Sequence, residues 1–364
     1  MRALAHLSAA PDAHSPVTPL APATDAASQT DAASQTDSWP AAASRARLHF
    51  VSGKGGTGKT TVAAALALAL AAGGKKVLLV EVEGRQGIAQ LFDLPPLPPT
   101  DTRIATAEGG GEVSALAIDI EHSLLEYLDM FYNLGFAGRA IKRIGAIDFV
   151  TTVAPGLRDV IITGKIKERI IAVDKQGKAR YDAVVVDSPP TGRIGSFLDV
   201  TKAMADLAKS GPIRNQSEGV VRLLHSDQTV VHLVTLLEAM PIQETVEAID
   251  ELHSKELTIG TVLVNRVREP LLPEAEIDDI ADGHIDAVRI KEHLADAGFH
   301  AADADMAGLL TETIDYARRH QAQQIARGQL DNVDLPILDL PEIGDGIDLG
   351  AAYELAGVLR KVGA

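Results

Sequence analysis

The chain has 364 residues, enough for one large α/β domain or two small ones with a substantial core. Hydrophobic residues make up 46% and aromatics only 4%, so the core must rest on Ala, Val, Leu and Ile, as suits buried parallel strands flanked by helices. Against 34 Lys and Arg stand 50 Asp and Glu, a formal charge of -16, which opposes nucleic-acid phosphates and leads us to expect no nucleic-acid partner; a cysteine count of zero excludes disulfides, iron–sulfur clusters, thiolate zinc sites and cysteine nucleophiles.

Residues 1–45 are rich in Ala, Ser, Thr, Asp and Pro, and Asp25–Thr30 repeats at once as Asp31–Thr36; this composition predicts a disordered tail, either dispensable or a docking arm. The tail lacks the charged start and apolar stretch of a secretory signal, and the longest apolar run, Val62 to Ala72, falls well short of the ~20 residues of a spanning helix. The expected location is cytoplasmic, with peripheral membrane contact left open.

The domain then runs over residues 46–364. Leu48–Ser52 reads as a strand entering a glycine-rich turn, Lys59 to about Ala72 as an Ala/Leu-rich helix stopped by Gly73-Gly74, and Val77–Val82 as a second buried strand. Together they make one βαβ unit. A short helix, the Pro95–Pro99 loop and a strand over Val113–Ile120 follow. Residues 122–172 read as helices interrupted by glycine and Pro155-Gly156, a helical insertion that carries Tyr127, Phe131, Tyr132, Phe136 and Phe149. Those aromatics either form the insertion's own core or line a surface for an apolar client or partner. Tyr181–Asp187 is a hydrophobic strand ending in a carboxylate, with Ser188-Pro189-Pro190-Thr191-Gly192 turning just beyond it. Strands over Val230–Leu236, Ile259–Asn265 and Leu335–Leu340 alternate with a helix around Ile242–His253, peripheral helices over about 270–330 and a terminal helix over Leu349–Leu359. The fold class this predicts is α/β, a doubly wound, mostly parallel sheet with a helical insertion.

Gly53-Lys54-Gly55-Gly56-Thr57-Gly58-Lys59-Thr60 fits a P-loop. Glycines let backbone N–H groups turn inward around phosphate oxygens, and the helix that starts there points its positive end at them. Lys59 is expected to contact the β- and γ-phosphates of ATP and Thr60 to ligate Mg2+, with Thr61 completing the loop. Asp187, at the end of a buried strand, is the candidate second carboxylate for the magnesium shell; the plainer reading is a cap on the next turn. Lys54 is not required by an ordinary P-loop and marks a deviant-lysine class, unless it is simply a solvated lysine.

With those residues in view the chain resembles the ArsA-type family of arsenite-pump and tail-anchored-protein-targeting ATPases, over nearly everything from residue 46 onward and with its actinobacterial branch most similar. The resemblance is carried by the Lys54 loop, Val77–Phe92, Tyr181–Leu198, Leu236–Thr245, Val262–Arg266 and Leu335–Glu342. It implies a dimer, of like chains or with a paralogous ATPase, that closes on ATP and opens after hydrolysis. It further implies that Lys54 reaches the partner's nucleotide, that Asn265, with Arg266, reads adenine, that the Pro341 loop packs beside the base, and that Pro190 borders the site. A turn asparagine is the competing reading of Asn265. Three departures stand out. Glu83 occupies the place of the family's water-positioning aspartate, and a misplacement of about 1 Å can cost about 100-fold in rate. Arg193 replaces the histidine of the second switch, where it could pair with phosphate, with an opposing carboxylate, or in a surface ion pair. And no cysteine is available for arsenite or a zinc clamp. The expected function is a Mg-ATP hydrolysing dimer that couples closure to handling an anion, metabolite, membrane protein or partner; the alternatives are a MinD- or ParA-like positioning ATPase and a weakly catalytic regulatory subunit. Tail-anchor delivery is disfavoured by the single methionine, Met130, within 122–172.

Overall fold

A computed structural model describes residues 38–123, 126, 157–199, 212–344 and 346–364. Among them lies an eight-stranded sheet of order β3-β4-β2-β5-β1-β6-β7-β8. The strands are β1 (Leu48–Gly53), β2 (Lys76–Glu81), β3 (Thr102–Thr106), β4 (Glu112–Ala117), β5 (Ala183–Asp187), β6 (Thr229–Thr235), β7 (Ile259–Val267) and β8 (Ile337–Pro341). Every pairing is parallel except β3 with β4. β1, β2 and β5 to β7 are near-continuous apolar runs because both faces of the sheet are covered.

One face packs helix α2 (Lys59–Ala71), which is itself overlaid by the terminal helix α11 (Leu349–Lys361). That double cover explains why α2 is apolar all round, ten of its thirteen residues being buried. The other face packs α4 (Leu157–Ile170), α5 (Thr191–Leu198), α6 (Pro212–Leu224), α7 (Ala239–Ser254) and the last turn of α10 (Asp303–Gly328). The described residues also include short helices α1 (Ala41–Arg45) and α3 (Gly87–Leu91) and peripheral helices α8 (Glu274–Ala281) and α9 (Ala287–Asp296). β1 sits at the centre, with β5 and β6 on its two sides. The chain reverses direction of travel across the sheet there, which is where an open α/β sheet gathers ligands at the carboxyl ends of its strands.

Two expectations need correction. The packed domain begins before residue 46: the Trp39 side chain is buried, the Trp39 backbone N–H donates to the Val362 carbonyl at 2.6 Å, and α1 follows it. A single large aromatic outweighs the low-complexity composition around it. β3 was not foreseen as a strand, because Thr102–Thr106 is an edge strand whose residues are exposed or half-buried and so carries no hydrophobic alternation. Most of the expected helical insertion, including Tyr127, Met130, Phe131, Tyr132, Phe136 and Phe149, lies outside the described residues; α4 is its described end. The rest of the expected tail, residues 1–37, also lies outside them. No helix among the described residues is long and apolar enough to cross a membrane.

Candidate functional site

The loop 53–60 joins β1 to α2 at the carboxyl end of the sheet. Gly56 (φ 91°) and Gly58 (φ 88°) take left-handed backbone that a side chain would strain, and a Cβ on Gly58 would collide with the Asn265 amide. A Cβ on Gly53 would drive into the Val234 carbonyl of β6, so this glycine permits the strand-to-strand approach from which the loop springs. Gly55 and Gly56 face open space. Inside the turn, Thr57 donates from its N–H (3.3 Å) and its Oγ1 (2.9 Å) to the Lys54 carbonyl. The Asn265 Nδ2, from β7, donates to the Thr57 carbonyl at 2.8 Å. Thr61 is buried in the first turn of α2.

Asp187 ends β5, paired with Val51 of β1 and with Glu81 of β2. Its Oδ2 accepts from Thr60 Oγ1 at 2.7 Å. Burial pushes its pKa up to about 6, against the lowering effects of the Thr60 hydrogen bond and Lys59, while Glu81 and Glu83 raise it further. The Lys59 ammonium is lowered by burial and supported by Asp187 and Glu83. The Thr60 hydroxyl and the Asp187 carboxylate thus meet, with the charges of Lys59, Glu81 and Glu83 acting on Asp187. A hard cation with oxygen ligands fits this donor set, and Thr60 and Asp187 are the residues that would hold it.

The first switch is built around a residue that sequence reading passed over. Glu81 is buried, and its carboxylate accepts from the backbone N–H groups of Gln86 and of Ile88, the latter at 3.2 Å. This cap shapes the turn 82–87, in which Gln86 adopts a left-handed φ of 58°. Glu83 then projects where Arg85 (3.3 Å) and Arg193 of the second switch (3.6 Å) both reach its carboxylate. The signal available in the sequence was an acidic residue ending a buried strand, the same signal that marks Asp187.

The second switch is pinned to β1: the Ser188 N–H donates to the Val51 carbonyl (3.0 Å) and Ser52 Oγ to the Pro189 carbonyl (2.6 Å). Pro190 precedes the first turn of α5 and its carbonyl accepts from the Arg193 N–H. Lys54 does not lie free: its Nζ is 2.7 Å from Glu244 Oε1, and Glu244 Oε2 accepts from Thr191 Oγ1 at 3.2 Å. Glu244, on α7, therefore ties the loop lysine to the second switch within one chain, a pairing across 190 residues that no local pattern announces.

Of the expected base-binding residues, Pro341 on β8 pairs with Val267, the neighbour of Arg266 on β7. Pro341 borders an open cavity of about 400 Å³ with Leu237, Val267, Arg268, Arg327 and Asp339. Asn265 is turned instead to the loop. Arg266, between them, is exposed and holds a left-handed φ of 58° where the β7–β8 register shifts.

A family profile described as "Anion-transporting ATPase" matches residues 46–224. The ATPase BagA of Mycobacterium tuberculosis (strain ATCC 25618 / H37Rv) is 62% identical over 325 residues, 89% of this chain and 96% of that one. This chain belongs to the ArsA-type, anion-transporting ATPase family. It is also similar to more distant members: a putative arsenical pump-driving ATPase of Aquifex aeolicus, 24% identical over 64% of this chain and 83% of that one, and an ATPase GET3 of Kluyveromyces lactis, 25% identical over 62% and 73%. The P-loop, the α/β fold and ATPase activity follow from membership of this ArsA-type family.

Proposed function

We propose that the chain is a Mg-ATP-driven dimer in which loop 53–61 cradles the phosphates, Lys59 contacts the β- and γ-phosphates, and Thr60 and Asp187 hold the magnesium. The single observation that carries this reading is the 2.7 Å contact of Thr60 Oγ1 with Asp187 Oδ2 directly beneath the glycine loop. It joins the two residue types that a P-loop ATPase uses for its metal. Bound magnesium supplies charge neutralisation on the phosphate oxygens. Glu83 orients the attacking water, and Lys54 leaves Glu244 to reach the partner's nucleotide, where a second positive charge stabilises the developing phosphoryl charge. Pro341 with its neighbouring cavity, and Arg266 with Asn265, supply the surroundings of the base; Asn265 acts first as a brace on the loop.

Closure of this dimer, of like chains or with a paralogue, drives the handling of an anion, metabolite, membrane protein or partner protein. The family description and the arsenical-pump name of the Aquifex relative support an anion; the GET3 relative supports a protein client. The lack of cysteine argues that neither is recognised through thiolates. A regulatory, weakly catalytic reading is favoured by one observation, the Arg193–Glu83 pair, which engages the carboxylate proposed to position water. Calorimetry with Mg-ATP and steady-state turnover, each for the chain alone and mixed with a paralogue, tests both. Binding with robust turnover alone, lost in Glu83→Gln, supports the first; binding with turnover only in the mixture supports the second; no heat with well-folded protein removes both.

A further inference from the structure

The fold puts Arg193, of the second switch, in contact with Glu83, of the first. The Arg193 guanidinium lies 3.6 Å from Glu83 Oε1, and Arg85 covers the other oxygen at 3.3 Å. Glu83 is thus held twice, and losing one arginine leaves it paired. Arg193 is rooted by its backbone N–H on the Pro190 carbonyl, while its side chain remains about half exposed, at 46%.

A second carboxylate lies near enough for the charge of the same guanidinium to act on it. Asp159, in the first turn of α4, has its Oδ1 shielded from solvent with no hydrogen-bond partner. Burial raises its pKa, and the charge of Arg193 is the larger of the two that oppose this, ahead of that of its neighbour Arg158. A shielded carboxylate oxygen without a partner is costly, and a nearby guanidinium with spare donors is what would relieve it. α4 packs against the second-switch helix α5.

We propose that Arg193 is a two-position coupling residue: its guanidinium holds Glu83 in the nucleotide-free chain and passes to Asp159 when Glu83 turns to the phosphates, so that α4 registers the state of the site. The assignment rests on the ATP-driven closure proposed above. It gives Arg193 and Asp159 positioning rather than catalytic roles. Two carboxylates within reach of one guanidinium make the exchange responsive to any difference in how nucleotide interacts with the two arrangements. The departure of Arg193 leaves Glu83 with Arg85 alone, whose side chain is 72% exposed, and so loosens the carboxylate that orients water.

The test combines turnover with hydrogen exchange of the 157–170 segment, with and without Mg2+ and a non-hydrolysable ATP analogue. In the wild type the analogue should increase protection of this segment. In Asp159→Asn, which keeps shape, the analogue should bind within about twofold of wild type while the protection response is lost, and kcat should fall about tenfold at unchanged KM because Arg193 stays on Glu83. Arg193→Met should also lose the response but keep kcat at or above the wild-type value; Arg193→Lys should restore part of the response. Opposite effects on kcat from two substitutions at one contact are not what a merely structural ion pair produces. A full response in Asp159→Asn, or a kcat in Arg193→Met as low as in Asp159→Asn, overturns the exchange and leaves the ATPase reading intact. Wild-type protein that binds the analogue with no change at 157–170 removes the coupling itself.

Discussion

Strands β1 and β6 run between two environments of opposite character. At their carboxyl ends, the glycine loop, Asp187, Glu81 and Glu83 keep charge close together with Lys59. Lower in the same sheet, on the α2 face, His49 and His232 are completely buried, with Nδ1 of one 3.1 Å from Nε2 of the other. Trp39 stacks on His232 at 5.1 Å, and the second nitrogen of His49 meets the Ala46 carbonyl at 3.2 Å. Burial lowers the His49 pKa to about 4 and that of His232 well below its ordinary value, helped for His232 by the neighbouring ring. Burial favours the neutral form at both ends, but at Asp187 a hydroxyl and an ammonium oppose it, whereas nothing comparable offsets it for the histidines. One end is built to receive a ligand and the other to close the core.

The sharpest way to break this contrast is Lys59→Ala. ATP turnover should fall by at least about 100-fold, while thermal unfolding and the fluorescence of Trp39, the single tryptophan, stay near wild type. A matching loss of stability would mean that the loop also supports the core. Next comes Lys54→Ala, for which we expect about 100-fold slower turnover with ATP affinity kept within a few-fold. Equal losses of binding in the Lys54 and Lys59 variants would refute a cross-subunit role.

The histidine end predicts an acid-labile fold. Both rings have folded pKa values below the unfolded value of 6.5, so the stability they contribute is complete above that pH and is lost as pH falls from 6.5 towards 4. A shift of the size seen for His49 corresponds to about 3 kcal/mol. Urea titrations at pH 7.5 and 5, followed by Trp39 emission, measure it, and a stability that is flat or rises over that range contradicts the burial argument. The smallest effect is expected for Asn265→Ala. Loss of the brace on the Thr57 carbonyl should cost about 1 kcal/mol, with ATP affinity weakened only a few-fold if the brace is its main task. A much larger loss, confined to adenine over guanine nucleotides, would restore it as a base reader.

The legible part of this molecule is the local part. Gly53–Thr60 announces itself because phosphate binding needs consecutive backbone groups, and Asp187 because a carboxylate closes an apolar run just before a proline turn. Val77–Val82 and Ile259–Asn265 were readable as strands because both faces are buried. Glu81 was passed over because it resembles the last residue of a strand and acts only through the turn that folds back on it. Glu244 was missed because its partners, Lys54 and Thr191, belong to other segments. Trp39 was hidden in a stretch whose average composition argued against packing.

The order of residues alone determined the chemistry that contiguous chain can build: a phosphate nest, a helix amino end behind it, a buried parallel sheet and an acid at a strand end. Tertiary structure decided the pairings between distant segments: Lys54 with Glu244, Glu83 with Arg193 and Arg85, Asn265 with Thr57, His49 with His232 beneath Trp39. The physical reason is range. Backbone conformation and hydrophobic periodicity are set by neighbours within a few residues, whereas a charge or a hydrogen-bond donor is satisfied by whichever acceptor the packed sheet delivers to it.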